Sequence, residues 1–245
     1  MRHKPTLTQE EKLVRMTESP LPGLIFSLAV PTIVSMLISA LYNMADTYFV
    51  GLIGNASATG AIGVVFPLMS LMQAIAFMFG HGSGNHMSRS LGAGDVDDAE
   101  KYASTGFFSA MGAGVLLMVI GLVWTDPIVR LLGATETIAP YARDYVRYLM
   151  PGTPFLICSF VLNNQLRFQG SAFYGMIGIT AGTILNIILD PVFIFVLDMQ
   201  VAGAAIATAI GQAVSFAVLL FMTSRAGNIS IKPRRFCLNA ETAKE

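Results

Sequence analysis

Long apolar stretches, each closed by a short polar break, recur six times along this chain. From Leu24 to Ala45 no charged residue occurs. A helix crossing the hydrocarbon core of a bilayer needs about 20 predominantly apolar residues. Six segments reach that length, at roughly 22–47, 57–80, 102–125, 138–160, 173–197 and 202–222. None of them alternates apolar and polar residues at the period of two that marks a barrel strand. In lipid every backbone polar group needs an internal partner, so the pattern predicts an all-α integral membrane protein, a six-transmembrane-helix bundle. Pro31, Pro67 and Pro191 fall inside the segments. Pro191 cannot donate to the carbonyl of Ile187, which leaves a kink there, either tolerated or used as a hinge or ion ligand.

Composition sharpens this picture. The chain of 245 residues is 54% hydrophobic and 12% charged, with a mean hydropathy of +0.63. Soluble domains carry about 25% charge, so the balance is that of a membrane protein. The formal net charge is zero, which gives no electrostatic basis for a nucleic-acid partner. The N-terminal MRHKPTLTQEEKLVRMTESP has no short apolar core with a small-residue cleavage site, so it does not read as a signal peptide. Cys158 lies in an apolar run and Cys237 in a polar tail, and neither suggests a disulfide or a metal site. His81 and His86 have no cysteine or carboxylate beside them at ligand spacing. No Walker lysine motif occurs, and the glycines of GHGSGNH are misplaced for a dinucleotide fingerprint. No nucleophile, base or cofactor constellation appears, so the chain does not read as an enzyme.

Lysine and arginine set the orientation. With the N-terminus inside, the inner side holds Arg2, Lys4, Lys12, Arg15, Arg89, Lys101, Arg167, Arg225, Lys232, Arg234, Arg235 and Lys244, and the outer side holds Arg130, Arg143 and Arg147. That asymmetry predicts cytoplasmic N- and C-termini. The organisation that follows is a cytoplasmic N-terminal segment at 1–20, a membrane lobe at 21–224 and a cytoplasmic tail at 225–245. Short outer connections fall at about 48–56, 126–137 and 198–201. The longest inner loop is 81–101, HGSGNHMSRSLGAGDVDDAEK, rich in glycine and serine in its first half. Its second half reads as a helix start, with Asp95, Asp97 and Asp98 at the positive end of the dipole.

Two acids, Asp46 and Asp190, lie well inside apolar segments; Asp144 sits near the outer end of the fourth. Asp46 is about 33 Å along its helix from Leu24, and Asp190 about 26 Å from Phe173, at 1.5 Å per residue. Two independent helices thus bring a carboxylate to the outer half of the membrane. Each acid has polar company one turn away: Tyr42 and Asn43 for Asp46, and Asn186 for Asp190. The sixth segment offers Thr208 and Gln212, four apart. Such a cluster in an apolar bundle can bind a cation or exchange protons, and intramembrane ionisable residues are candidates for function. For Asp46 a wet position at the headgroup boundary, or a cap on the loop GLIGN, stays open. Gly203, Ala207 and Gly211 form a small-residue face that reads as helix packing.

Several stretches together carry a family resemblance: AVPTIVSMLISALYNMADTYFVG, GNHMSRSLGAGDVDDAEKYAS, LRFQGSAFYGM, LNIILDPVFIF and GAAIATAIGQ. Over nearly all of 15–225 the chain resembles the multidrug and toxic compound extrusion family, of the multidrug, oligosaccharidyl-lipid and polysaccharide exporter superfamily. The tyrosine and asparagine just before the first acid are most similar to the bacterial multidrug-export branch. The resemblance implies an antiporter in the bacterial plasma membrane that exports amphipathic or cationic drugs in exchange for protons or sodium ions, with no cofactor. It implies that Asp46, Asn186, Asp190 and Thr208 form the cation site and that Pro31 is the kinking proline of the first helix. Members of the family have two six-helix lobes, and this chain corresponds to the N-terminal one, with the tail as the start of an interlobe linker. A second six-helix lobe or a homodimer is the partner this implies. Two alternatives stand beside it: a non-transporting half that needs a second lobe, and a lipid-linked precursor flippase of the same superfamily. The flippase would want a more cationic cavity, whereas the membrane segments hold acids and no lysine.

Overall fold

The computed structural model describes residues 20–226 and 229–235. Arg2, Lys4, Lys12, Arg15, Lys244 and Cys237 lie outside the described residues. The helices are α1 (Leu21–Gly51), α2 (Ala56–Gly92), α3 (Val96–Val123), α4 (Thr125–Leu131), α5 (Ala139–Leu149), α6 (Thr153–Phe168), α7 (Ala172–Pro191) and α8 (Gln200–Ala226). No strand occurs among the described residues. Six stretches are long and apolar enough to cross a membrane: Pro22–Gly51, Ala56–Gly92, Val96–Val123, Ala139–Phe168, Ala172–Val196 and Gln200–Arg225. These are the six segments read from the sequence, with longer ends.

The expected inner loop at 81–101 is mostly helix. α2 continues through Gly92, and only Ala93–Asp95 connect it to α3. Gly84 in this run, and Gly80 just before it, are sites of close approach, whereas Gly82 and Gly92 have open space around them. A Cβ on Gly80 would meet Asn164 Nδ2 at 2.7 Å, and one on Gly84 would run into the Phe168 ring. The Ser83 hydroxyl donates back to the Phe79 carbonyl (2.7 Å), so it does not compete with the helix. Gly94, at φ +80°, makes the turn. Asp95 then caps α3 by accepting from the Asp98 N–H (2.9 Å), with Asp97 and Asp98 in the first turn as the dipole favours.

The fourth span also differs from expectation, reaching Phe168 rather than ending near 160. Pro151 and Pro154 withhold two backbone donors, and the span passes through a 3-10 turn at Met150–Gly152 between α5 and α6. Past Pro191 the fifth span widens into a π-helical turn at Val192–Val196, with the Leu197 N–H on the Val192 carbonyl (3.0 Å).

α6 is the central helix and packs on α2, α3, α7 and α8. α7 and α8 share the largest interface, closed where glycines face each other: a Cβ on Gly211 would lie 2.9 Å from the Gly182 carbonyl oxygen. Gly203 seats on the backbone of the π turn at Phe193. α1 packs chiefly on α7 and turns Ile25, Phe26, Met36, Leu41 and Met44 outward.

Beyond α8 the chain returns to the start of α3. Ile229 is buried with Met87, Ala99 and Ala103 in a small cluster apart from the main core. Glu100 gathers this strap. It accepts the Ser230 N–H (3.2 Å) and pairs with Arg235 Nε (3.0 Å) and Lys232 Nζ (3.9 Å). Arg235 also bonds Asp97 (2.6 Å), a contact that holds the guanidinium more firmly charged than usual.

Candidate cation site

Three helices that meet at the glycine-lined end of the bundle bring the site together. α1 supplies Tyr42 and Asp46, α7 supplies Asn186 and Asp190, and α8 supplies Thr208 and Gln212. The absence of a side chain at Gly211 lets Asn186 approach α8, because a Cβ there would meet Asn186 Cβ at 3.0 Å. Asn186 Nδ2 then reaches both ways, to Asp190 Oδ1 (3.4 Å) on its own helix and to Thr208 Oγ1 (3.3 Å) on the next. The Tyr42 hydroxyl meets the same Thr208 oxygen at 3.4 Å. One hydroxyl thus links all three helices.

Both acids are inside the protein, with Asp190 at 0% and Asp46 at 4% exposure, so Asp46 is turned into the bundle and away from a wet headgroup boundary. Asp190 is tied through Asn186 and Thr208 to Tyr42, which is one turn from Asp46 on α1. Neither has an arginine or lysine partner among the described residues. Asp46 Oδ1, Asp190 Oδ2 and Asn186 Oδ1 are buried without a hydrogen-bond donor. Two buried carboxylates with unsatisfied oxygens in one cluster favour a proton or a hard cation, because charges out of water cannot stand uncompensated. Carboxylate, carbonyl and hydroxyl oxygens are also the ligand types that hard cations take.

The sequence-derived set divides. Tyr42, Asp46, Asn186, Asp190 and Thr208 come together. Gln212 lines the adjoining cavity one turn from Thr208, but its Oε1 packs over Gly152 without a hydrogen-bond donor. The Asn43 side chain lies outside the described residues. Pro31 is in α1 four turns from Asp46 and touches none of the cluster; it frees the Ser27 carbonyl. Pro191 follows Asp190 directly and opens the π turn. The reading also missed Tyr145, whose buried hydroxyl on α5 lies beside Asp46. The helical spacing of Tyr145 from the buried Ala142 and Leu149 carried that signal. Below the cluster a cavity of about 100 Å³ is lined by Tyr42, Asn186 and Thr208 together with Met69, Leu156 and Phe160. His81 and His86 are engaged elsewhere, His81 with Phe77 and Arg167 and His86 stacked on Tyr102.

Comparison with known proteins adds a common outline. Residues 31–192 match the MatE family model. The multidrug export protein MepA of Staphylococcus haemolyticus (strain JCSC1435) is 33% identical over 217 residues, which cover 89% of this chain and 48% of that protein. MepA of Staphylococcus aureus (strain MRSA252) is 30% identical over 216 residues, covering 87% of this chain and 48% of that protein. Among solved structures, a MATE protein in complex with MaD3S superposes with a TM-score of 0.87 at 29% identity, covering 94% of this chain and 52% of that one. An outward-facing multidrug resistance MATE family transporter of the MOP superfamily gives 0.87 at 29% identity, over 99% of this chain and 53% of the other. The chain spans about half the length of the relatives it matches.

Proposed function

The chain belongs to the MatE family of multidrug efflux transporters, and from that membership we propose that it serves as one lobe of a cation-coupled antiporter. The lobe exports amphipathic or cationic drugs in exchange for protons or sodium ions. Asp46, Asn186, Asp190 and Thr208 hold the coupling cation, and Tyr42 and Gln212 line the cavity beside it. The observation that carries this reading is Asn186, which joins the Asp190 carboxylate to the Thr208–Tyr42 pair and so ties three helices to one oxygen-rich locus. A cation entering this locus changes what holds α1, α7 and α8 together, and that is how binding becomes motion.

Residues 21–224 act as the lobe, and 1–20 and 225–245 lie on the cytoplasmic side of the bacterial plasma membrane. The cavity faces a second six-helix lobe or a second copy, since alternating access rocks one repeat against another around a shared site. That the chain spans about half of its relatives' length supports such a pairing. The test is dye efflux in a drug-sensitive bacterium lacking its own exporters, with membrane levels and native mass measured in parallel. Efflux that depends on Asp190 and on an assembly larger than one copy is expected. Robust efflux from a strict monomer overturns the pairing, and efflux unchanged by Asp190→Asn overturns the cation site.

A further inference from the structure

Ser39, Gln73, Phe160 and Ile179 line the cavity below the acid cluster and also a second one, of about 300 Å³, on its far side. On α1 the two extend from Tyr42 to Thr32, ten residues, or about 15 Å of helix. The second cavity is lined by Asn163, Asn164 and Arg167 of α6 and by Ala172 at the start of α7. The tract is therefore polarised. At one end Tyr42, Asn186 and Thr208 line the wall, with Asp190 behind Asn186, and at the other a guanidinium lines it.

Arg167 is held from one side only. Its Nη2 donates to Asn164 Oδ1 and to His81 Nε2 (3.2 Å). His81 Nδ1 donates to the Phe77 carbonyl (3.0 Å), which leaves the Nε2 lone pair to receive the guanidinium. The Phe168 ring lies 5.9 Å from Arg167 Cζ. Gly80 makes the space that Asn164 occupies and Gly84 the space for Phe168, so α2 is shaped to seat this arginine. Yet no carboxylate pairs with it among the described residues, and its Nε and Nη1 donors have no partner there either. Arg167 is half-buried in the last turn of α6, and its remaining fork of N–H groups fits a carboxylate or phosphate.

We propose that Arg167 is an anion-binding subsite: the second cavity takes the carboxylate or phosphate oxygens of an amphipathic molecule whose apolar body rests on Met36, Phe77 and Phe160. A zwitterion can then span the tract, its cationic end against the Tyr42, Asn186 and Thr208 oxygens that stand before the acid cluster. The subsite rests on the export reading for the fate of its ligand, though not for binding itself.

The experiment measures dye binding to the purified full chain in maltoside micelles by fluorescence polarisation, with rhodamine B as the free acid and with its ethyl ester. The variant Arg167→Gln is expected to weaken the acid at least about tenfold and the ester less than about twofold, as loss of a bidentate charged contact requires. Arg167→Lys is expected to recover part of the loss. Dioctanoyl phosphatidic acid distinguishes the sources. If it displaces the acid in an Arg167-dependent way, a lipid phosphate is an occupant; if not, the subsite is for cargo carboxylates. Acid binding unchanged in Arg167→Gln, or acid and ester weakened alike, overturns the subsite. Wild-type chain that binds the ester but not the acid overturns the subsite and leaves the export reading standing, and binding of neither dye overturns both. Arg167-dependent acid binding without any efflux overturns the export reading and leaves the subsite.

Discussion

Asn186 has one amide and uses it twice, toward Asp190 and toward Thr208. Replacing it with leucine keeps the volume and removes both contacts, leaving Asp190 Oδ1 without its donor. Loss of a hydrogen bond to a buried charged group costs about 1.5–3 kcal/mol, or roughly ten- to a hundredfold in cation affinity. Asn186→Leu is therefore expected to lose cation-stimulated binding by that factor, read by calorimetry or by the rise in melting temperature with added cation. A loss below about threefold would detach Asn186 from the site. Asp46→Asn and Asp190→Asn should each abolish coupled efflux, and the double variant should be little worse than either single one, since members of one locus are not additive. Additive losses would mean two separate sites. Asp46, Asp190 and Asn186 are legible in the sequence because an acid in an apolar run and its neighbour one turn away need only helical geometry. The Asn186–Thr208 contact spans 22 positions and two helices, and spacing cannot give the rotation of one helix against another. Tyr145 escaped for the same reason, since Asp46, which it lies beside, is on a helix that periodicity cannot register against α5.

At the level of helices, glycine carries the architecture. A side chain at Gly182 would collide with the Gly211 carbonyl oxygen and with Ser215 Cβ (2.6 Å), both on α8. Gly182→Val should force α7 from α8 at a cost of about 1–3 kcal/mol, seen as a lower melting temperature and loss of cation stabilisation. Gly63→Ala and Gly112→Ala, where nothing stands within 4 Å, should melt at or slightly above wild type. Equal destabilisation at all three positions would show that the glycines act through backbone flexibility and not through close approach. The same distinction explains the reading of 81–101. In water a glycine- and serine-rich run is a linker; here it continues a helix, with Gly84 admitting the Phe168 ring, and hydropathy alone cannot tell the two apart. The face of Gly203, Ala207 and Gly211 was legible because its four-residue period repeats within an apolar span.

For the molecule as a whole, the charge asymmetry makes a topological statement. In a background with Cys237→Ser and native, buried Cys158, Leu52→Cys should label from outside intact cells with an impermeant thiol reagent, and Ala93→Cys only after permeabilisation. Labelling in the reverse order would invert the orientation. The strap after α8 adds a second expectation: Glu100→Ala removes the acceptor shared by Ser230, Lys232 and Arg235, so trypsin should cut after Arg235 severalfold faster while the six spans stay intact. Unchanged cleavage would mean that burial of Ile229 alone secures the segment. Seen in time instead of space, the strap is a late event. Ser230 follows Glu100 by 130 residues, which at a synthesis rate of about 5–20 residues per second is a wait of roughly 6–26 s. Through that interval Glu100 stands at the mouth of α3 without its partners, and every span from α3 to α8 must leave the ribosome before they arrive. The ion pair between Glu100 and Arg235 is thus a timestamp, one that forms only when the sixth crossing has been made.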